Sequence, residues 1–274
     1  MSTRSTVVEL TPGAESRRSL VGDLWRHRDV LAMLARTDFQ VRYKRATLGV
    51  LWAVVVPLVQ AAVLAAVFSR VLRLASSQDY AVFVLSGVLP WTYFATSATA
   101  GATAVVDGAE ITEKVWFPRA MLPIVPALAN FAGFAVALVL MVAIMPIFGV
   151  VPDQNLLWLV PACGLLVAFT AAFSLVAAAL HVYFRDVRYL VQAGLLVWFY
   201  ATPVIYPLRL ARGLKPLLEA NPMTGILGLF RAATSGAEPH WLLDAAIALA
   251  WTLALLVIAV EVYRRRDRVL VDLL

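Results

Sequence analysis

The chain has 274 residues, of which 62% are hydrophobic and 15% charged, where soluble globular domains carry about 25% charged residues. Its formal net charge is +6 and its mean hydropathy +0.82. The basic residues sit between apolar runs, so they read as membrane-orienting charges and not as a nucleic-acid surface, and a lone cysteine, Cys163, excludes an internal disulfide or a cysteine metal cluster.

Residues 1–46 contain no apolar run, only short clusters such as Val7-Val8. This argues against a cleaved signal peptide and makes the first span its own insertion signal. Residues 19–45 are basic, yet Leu20, Leu24, Leu31 and Leu34 share one helical face, and Trp25 and Phe39 add apolar content. The pattern reads as an amphipathic helix at the cytoplasmic interface or as a helix packed on a partner, and the two readings are compatible.

A spanning helix needs about 20 mostly apolar residues. Six runs qualify. The first is 48–68, with Pro57 tolerated inside it. The second, 80–106, has a lower half rich in small and hydroxyl residues (Thr96, Ser97, Thr99, Gly101, Thr103), which favour close helix contact. The others are 121–148, 156–180, 189–206 at the short end of the range, and 241–263. Between the last two, residues 208–239 hold two modest apolar stretches, 214–220 and 223–233, split by Asn221-Pro222. Each is too short to span, which predicts a short re-entrant pair of helices or, failing that, a plain external loop.

Placing the loops alternately on two sides puts 17 Lys and Arg on the side of the N-terminus and 6 on the other. Both ends are therefore expected in the cytoplasm, and an odd number of spans would split the basic N-terminus from Arg264-Arg265-Arg266. The expected fold is an all-α polytopic membrane protein with six transmembrane helices. Residues 1–46 form a cytoplasmic segment, 47–266 the membrane domain and 267–274 a cytoplasmic tail. There is no internal repeat.

The chemistry that is missing narrows the function. No G-x-x-x-x-G-K-[ST] and no H-E-x-x-H is present. His27, His181 and His240 are isolated at loops or helix ends, so neither a metal site nor a catalytic pair is expected. Asp107, Asp244 and Glu261 fall near span ends and no acid sits mid-span. Ion-coupled carriers usually need an intramembrane ionisable group, so the energy source is expected to lie outside this chain.

The passages between spans carry a resemblance. Arg42-Tyr43-Lys44-Arg45-Ala46-Thr47-Leu48-Gly49-Val50-Leu51-Trp52 with Pro57-Leu58 resembles the start of the first span in type-2 ABC exporter permeases. Leu85-Ser86-Gly87-Val88-Leu89-Pro90-Trp91 is similar to that family's second-span signature. Glu113-Lys114-Val115-Trp116-Phe117-Pro118-Arg119 with Leu122-Pro123 is similar to its next connection. Tyr183-Phe184-Arg185-Asp186-Val187, Thr202-Pro203-Val204-Ile205-Tyr206-Pro207 and Asn221-Pro222 follow in the same order, so the resemblance covers roughly residues 42–266. It points to the polysaccharide branch, the Wzm-like subunits that move lipid-linked O-antigen, teichoic acid or galactan chains. Where that family often has asparagines before the Lys-Val-aromatic-Phe-Pro-Arg stretch, this chain has Gly108 and Glu110, so no asparagine contact carries over.

The resemblance implies a homodimer in the bacterial cytoplasmic membrane paired with two separate ATPase subunits. These would hold ATP and Mg, leaving this chain without a cofactor or a catalytic residue. Residues 107–119 are then the candidate coupling helix. Glu110, Glu113, Lys114 and Arg119 would ring an apolar anchor of Trp116 and Phe117 suited to a partner's groove, with Pro118 ending the helix; a solvated loop is the alternative. Arg42, Lys44 and Arg45 are candidates for the substrate pyrophosphate, because arginine pairs bidentately with phosphate oxygens; simple positive-inside anchoring is the alternative. Trp91, Tyr93, Phe94, Trp198, Phe199, Tyr200 and Tyr206 form either a sugar-stacking channel or an interfacial aromatic belt. Tyr206, Asn221 and Pro222 are candidates for an outer gate. A small-molecule efflux permease of the same superfamily is the competing function. A membrane enzyme acting on a polyprenyl-linked sugar is disfavoured because the loop acids are scattered. Ala-, Val- and Arg-rich usage hints at a high-GC genome such as that of an actinobacterium, where lipid-linked galactan would be a plausible cargo.

Overall fold

The structure, a computed structural model, describes residues 20–44, 49–71, 80–108, 117–210, 213–234 and 240–272. Among them every regular element is helical. Two short helices, α1 (Leu20–Arg26) and α2 (Arg28–Tyr43), precede α3 (Trp52–Val71) and α4 (Tyr80–Asp107). A 3-10 turn, Arg119–Met121, leads into α5 (Val125–Ile144), and a second, Gln154–Trp158, leads into α6 (Leu159–Tyr183). Then come α7 (Val187–Tyr200), α8 (Lys215–Glu219), α9 (Pro222–Thr234) and α10 (Trp241–Asp272).

The distribution of side chains is that of a protein dissolved in lipid. Large apolar residues point outward: Val59 and Val63 on α3, Val136 and Val139 on α5, Leu253 and Val257 on α10. In water such a surface would drive aggregation. The inside is rich in small residues instead, with Ala98, Ala127, Ala162, Ala172, Ala178, Ala248 and Ala259 almost fully buried. Small residues let helix backbones approach, which is where packing energy comes from when the solvent is itself apolar. Three buried threonine hydroxyls are satisfied within their own helices: Thr170, Thr234 and Thr252 each donate at 2.7 Å to the carbonyl four residues back.

Four helical segments among the described residues are long and apolar enough to cross a membrane: Tyr80–Asp107, Arg119–Phe148, Gln154–Tyr183 and Trp241–Tyr263. A shorter apolar stretch, Val55–Val67, lies in α3. The predicted fifth span, 189–206, is not one continuous helix. α7 has 14 residues, about 21 Å of rise, and stops at Tyr200. Pro203 and Pro207 supply no N–H to continue it, and residues 201–208 fold instead into a buried turn.

The helix α4 is the centre of the bundle, packing against α3, α5, α6, α7 and α9. The helix α9 is buried on every side, between α4, α6, α10 and the Gln154–Trp158 turn. Its closest approach is at Gly225, where a Cβ would land on the Asp244 carbonyl of α10. At the other end of the bundle the N-terminal region also differs from the expected single amphipathic helix. It breaks at His27, and Leu24, Leu31 and Leu34 pack on a cluster of their own chain formed by Phe117, Met121, Leu122, Val182 and Tyr263. The apolar stripe read from the sequence therefore covers the base of the bundle.

Gly225→Ala should be strongly destabilising, because the neighbour it meets is backbone and cannot rotate away. Overpacking costs about 1–3 kcal/mol even against side chains. Gly164→Ala and Gly194→Ala, which face open space, should melt at or slightly above the parent temperature. Thermal unfolding of the detergent-solubilised variants, followed by size-exclusion fluorescence, checks the contrast.

Candidate functional site

A buried turn inside a membrane protein poses an accounting problem, because each unsatisfied backbone polar group in lipid costs several kcal/mol. Residues 202–205 and 207–208 are all buried. The amides of Val204 and Leu210 meet the carbonyls of Thr202 and Pro207, and side chains from distant helices meet those of Pro203, Val204 and Ile205. Arg231 of α9, only 2% exposed, donates from Nη2 to the Val204 carbonyl at 2.9 Å and to that of Pro203. Its guanidinium lies 3.8 Å from the centre of the Phe83 ring, a cation–π arrangement that offsets part of the desolvation. The Tyr80 hydroxyl donates to the Ile205 carbonyl at 2.7 Å, and that of Tyr206 to the Tyr200 carbonyl at 3.1 Å. The turn can sit this close because α4 carries Gly87 beneath it, where a Cβ would come within 2.5 Å of the Val204 carbonyl.

Asn221 closes the other side. Its Nδ2 donates to Thr202 Oγ1 at 2.9 Å and to the Ala201 carbonyl at 3.3 Å. Its Oδ1 accepts from the Met223 amide at 3.0 Å, capping the start of α9. The same Oδ1 accepts from Trp198 Nε1 at 3.1 Å. One amide thus holds the end of α7 against the start of α9, while Pro222 is buried beside it. Trp251 of α10 donates to the Ala220 carbonyl at 3.0 Å and secures the end of α8.

Trp198 leads into an aromatic cluster. Trp91 makes edge contacts with Phe94, Trp198 and Phe199 at centroid distances of 5.7, 6.1 and 5.6 Å. Phe94 is fully buried among Phe169, Phe173 and Trp198. The Tyr93 hydroxyl donates to the Ala127 carbonyl at 2.7 Å. Of the aromatics expected along a channel, Tyr93 and Phe94 therefore join α4 to α5 and α6 inside the protomer. Trp198 and Tyr206 are half-buried, and Tyr200 is 63% exposed.

The open surface lies beside this cluster. A groove of about 660 Å³ runs between α4 and α7 and reaches Gln60 of α3. Its α4 wall carries Thr96, Thr99 and Thr103; its α7 wall carries Arg188, Gln192 and Tyr200; Trp91 and Phe199 lie at one end. Hydroxyl, amide and aromatic groups share the lining with Ala95, Ala100, Leu195 and Leu196, so it is able to hydrogen-bond and stack on a polar, ring-containing chain. Sequence reading singled out the threonines as packing residues and passed over Gln60, Arg188 and Gln192. The signal was their spacing: Arg188 and Gln192 are one helical turn apart and share a face.

The expected coupling and phosphate residues divide. Glu110, Glu113, Lys114, Trp116 and Arg45 lie outside the described residues. Phe117, expected as a surface anchor for a partner, is only 6% exposed and faces inward, where the N-terminal helices cover it. Arg119 is half-buried beside it. Arg42 pairs with Asp38 at 3.0 Å, and Lys44 is exposed. Among the described residues no group of three or more His, Cys, Asp or Glu could hold a metal.

Lipid-facing helices around a small-residue interior, with irregular backbone buried inside it, define a multi-pass membrane protein. The chain belongs to the ABC-2 type transporter family, whose profile matches residues 29–234. It is 32% identical over 218 residues to the O-antigen export system permease protein RfbA of Myxococcus xanthus, covering 78% of this chain and 83% of that one. Two proteins of the same description from Klebsiella pneumoniae are 32% and 31% identical over 179 residues, each alignment covering 65% of this chain and 69% of the relative.

Arg231→Met should leave two buried carbonyls short of a donor, at about 1–3 kcal/mol each, whereas Tyr80→Phe should cost one such increment. Phe117→Asp should destabilise the base of the bundle, since it buries an unpaired carboxylate. Thermal unfolding in detergent ranks all three against Tyr189→Phe, which is exposed and should melt like the parent.

Proposed function

We propose that this chain is the transmembrane permease subunit of an ATP-driven exporter that moves a lipid-linked polysaccharide across the bacterial cytoplasmic membrane. The observation that carries the reading is the match, over most of the chain, to permeases described as O-antigen exporters. The groove between α4 and α7 supports it, because its hydroxyl and amide groups can hydrogen-bond a carbohydrate and its aromatic end can stack on sugar rings.

Two copies would face each other across their grooves, and two ATPase subunits would bind on the cytoplasmic side at the segment 107–119. Six passages through the bilayer follow if α3 crosses together with its flanking residues and α7 crosses together with the buried turn. The short helices α8 and α9 then form the re-entrant pair on the outer side, and both ends of the chain lie in the cytoplasm, as the basic residues require. The carbonyl-binding roles of Arg231, Tyr80 and Asn221 fit this placement, since irregular backbone survives at membrane depth only inside protein.

Deletion of the gene should cause a lipid-linked glycan to accumulate on the cytoplasmic face, with loss of the corresponding polymer from the cell surface. The intact chain should also co-purify with a separate ATPase. Unchanged surface glycan together with raised sensitivity to small toxic compounds would point to the efflux permease instead.

A further inference from the structure

We propose that Arg188, with Gln192 and Thr103 beside it, forms the subsite for the phosphate group of the lipid carrier, and that the groove orients its cargo by polarity along its length. The proposal rests on the polysaccharide-export reading and assigns a recognition element within it.

The two walls of the groove have the same span. Arg188 and Tyr200 on α7 are twelve residues apart, as are Thr103 and Trp91 on α4, so each wall is roughly 18 Å long at about 1.5 Å per residue. The walls run in opposite directions, because Trp91 touches Phe199 at 5.6 Å while Thr103 and Arg188 line the same groove. One end is therefore aromatic and the other is cationic and hydroxylated.

Among the described residues Arg188 is the one charged residue of the lining. It is exposed, and its recorded contact is the ring of its neighbour Tyr189, with the guanidinium 5.8 Å from the ring centre. Among the described residues it forms no ion pair. An unneutralised guanidinium beside an amide and a hydroxyl is a donor set for phosphate oxygens, which arginine binds bidentately. Arg42, by contrast, has its guanidinium engaged by Asp38. A carrier whose phosphate sits at Arg188 would direct its first sugars toward half-buried Phe199 and exposed Tyr200, where ring faces can stack.

The test uses the full-length protein in nanodiscs of zwitterionic lipid, with binding of polyprenyl pyrophosphate, neutral polyprenol and phosphatidylglycerol measured separately. Arg188→Gln should weaken the pyrophosphate lipid about tenfold or more, the size of a lost charge-assisted bond. Arg188→Lys should retain part of the affinity, and Arg42→Gln should bind like the parent. Polyprenol binding should be the same in all of them. Equal pyrophosphate affinity in the parent and Arg188→Gln, or an equal loss for polyprenol, would overturn the subsite while leaving the export reading intact. Phosphatidylglycerol binding as tightly as the pyrophosphate lipid, with the same Arg188 dependence, would reassign the site to bulk anionic lipid and also overturn it. A parent protein that binds no pyrophosphate lipid would overturn both the subsite and the functional reading.

Discussion

The rest of the structure is organised around the hydrogen bonds from Arg231 to the carbonyls of Pro203 and Val204. A helix satisfies its own backbone, and a turn does not. Where a turn is buried away from water its carbonyls must be met by something else, and the donors must be strong and many. Arginine brings five N–H groups in a planar fork and keeps its charge under all physiological conditions. The cost of burying that charge is offset by the bonds to the carbonyls and by the ring of Phe83 beneath it. The position of α9 follows from this requirement, and so does the glycine at position 87, without which α4 could not approach the turn.

The same constraint explains how the two ends of the bundle differ. Around the turn, order comes from directed bonds to Tyr80, Arg231 and Asn221. At the base, where Phe117, Met121, Leu122, Val182 and Tyr263 meet the N-terminal helices, order comes from apolar packing. The first arrangement has one geometry and tolerates little substitution. The second depends on area and volume and accepts repacking more readily.

Much of the fold was legible because hydropathy is a one-dimensional property. The apolar runs at 80–106 and 156–180 fall within a few residues of α4 and α6, and that at 241–263 coincides with the apolar part of α10. The short helices α8 and α9 fall where two stretches too short to span were separated by Asn221-Pro222. What could not be read depended on partners far apart in the chain. Arg231 counted as one more loop charge, because nothing in its neighbourhood reveals that carbonyls 27 and 28 residues earlier need it. Phe117 read as a surface anchor because it is flanked by charged residues, and only the covering helices α1 and α2 show that it faces inward. The aromatics of α4 could be grouped but not divided. Hydropathy alone does not separate Phe94 and Trp91, both buried among other rings, from Tyr200, which is exposed along the groove.

The groove and the buried turn are joined through a single side chain. Trp198 packs its ring on Trp91 and Phe94 at the aromatic end of the groove and donates its indole N–H to Asn221. Asn221 in turn holds Ala201 and Thr202 and caps α9. A displacement of the groove's aromatic end therefore reaches α9 without crossing any flexible segment. Separating α9 from the turn would break the bonds of Arg231 and Asn221 together, leaving several carbonyls bare in a medium that cannot solvate them. Moving α9, the turn and the end of α7 as one body breaks none of these bonds. The energetics favour the second motion, which places the compliant contacts at the lipid-facing seams, where the side chains are large, apolar and free to slide.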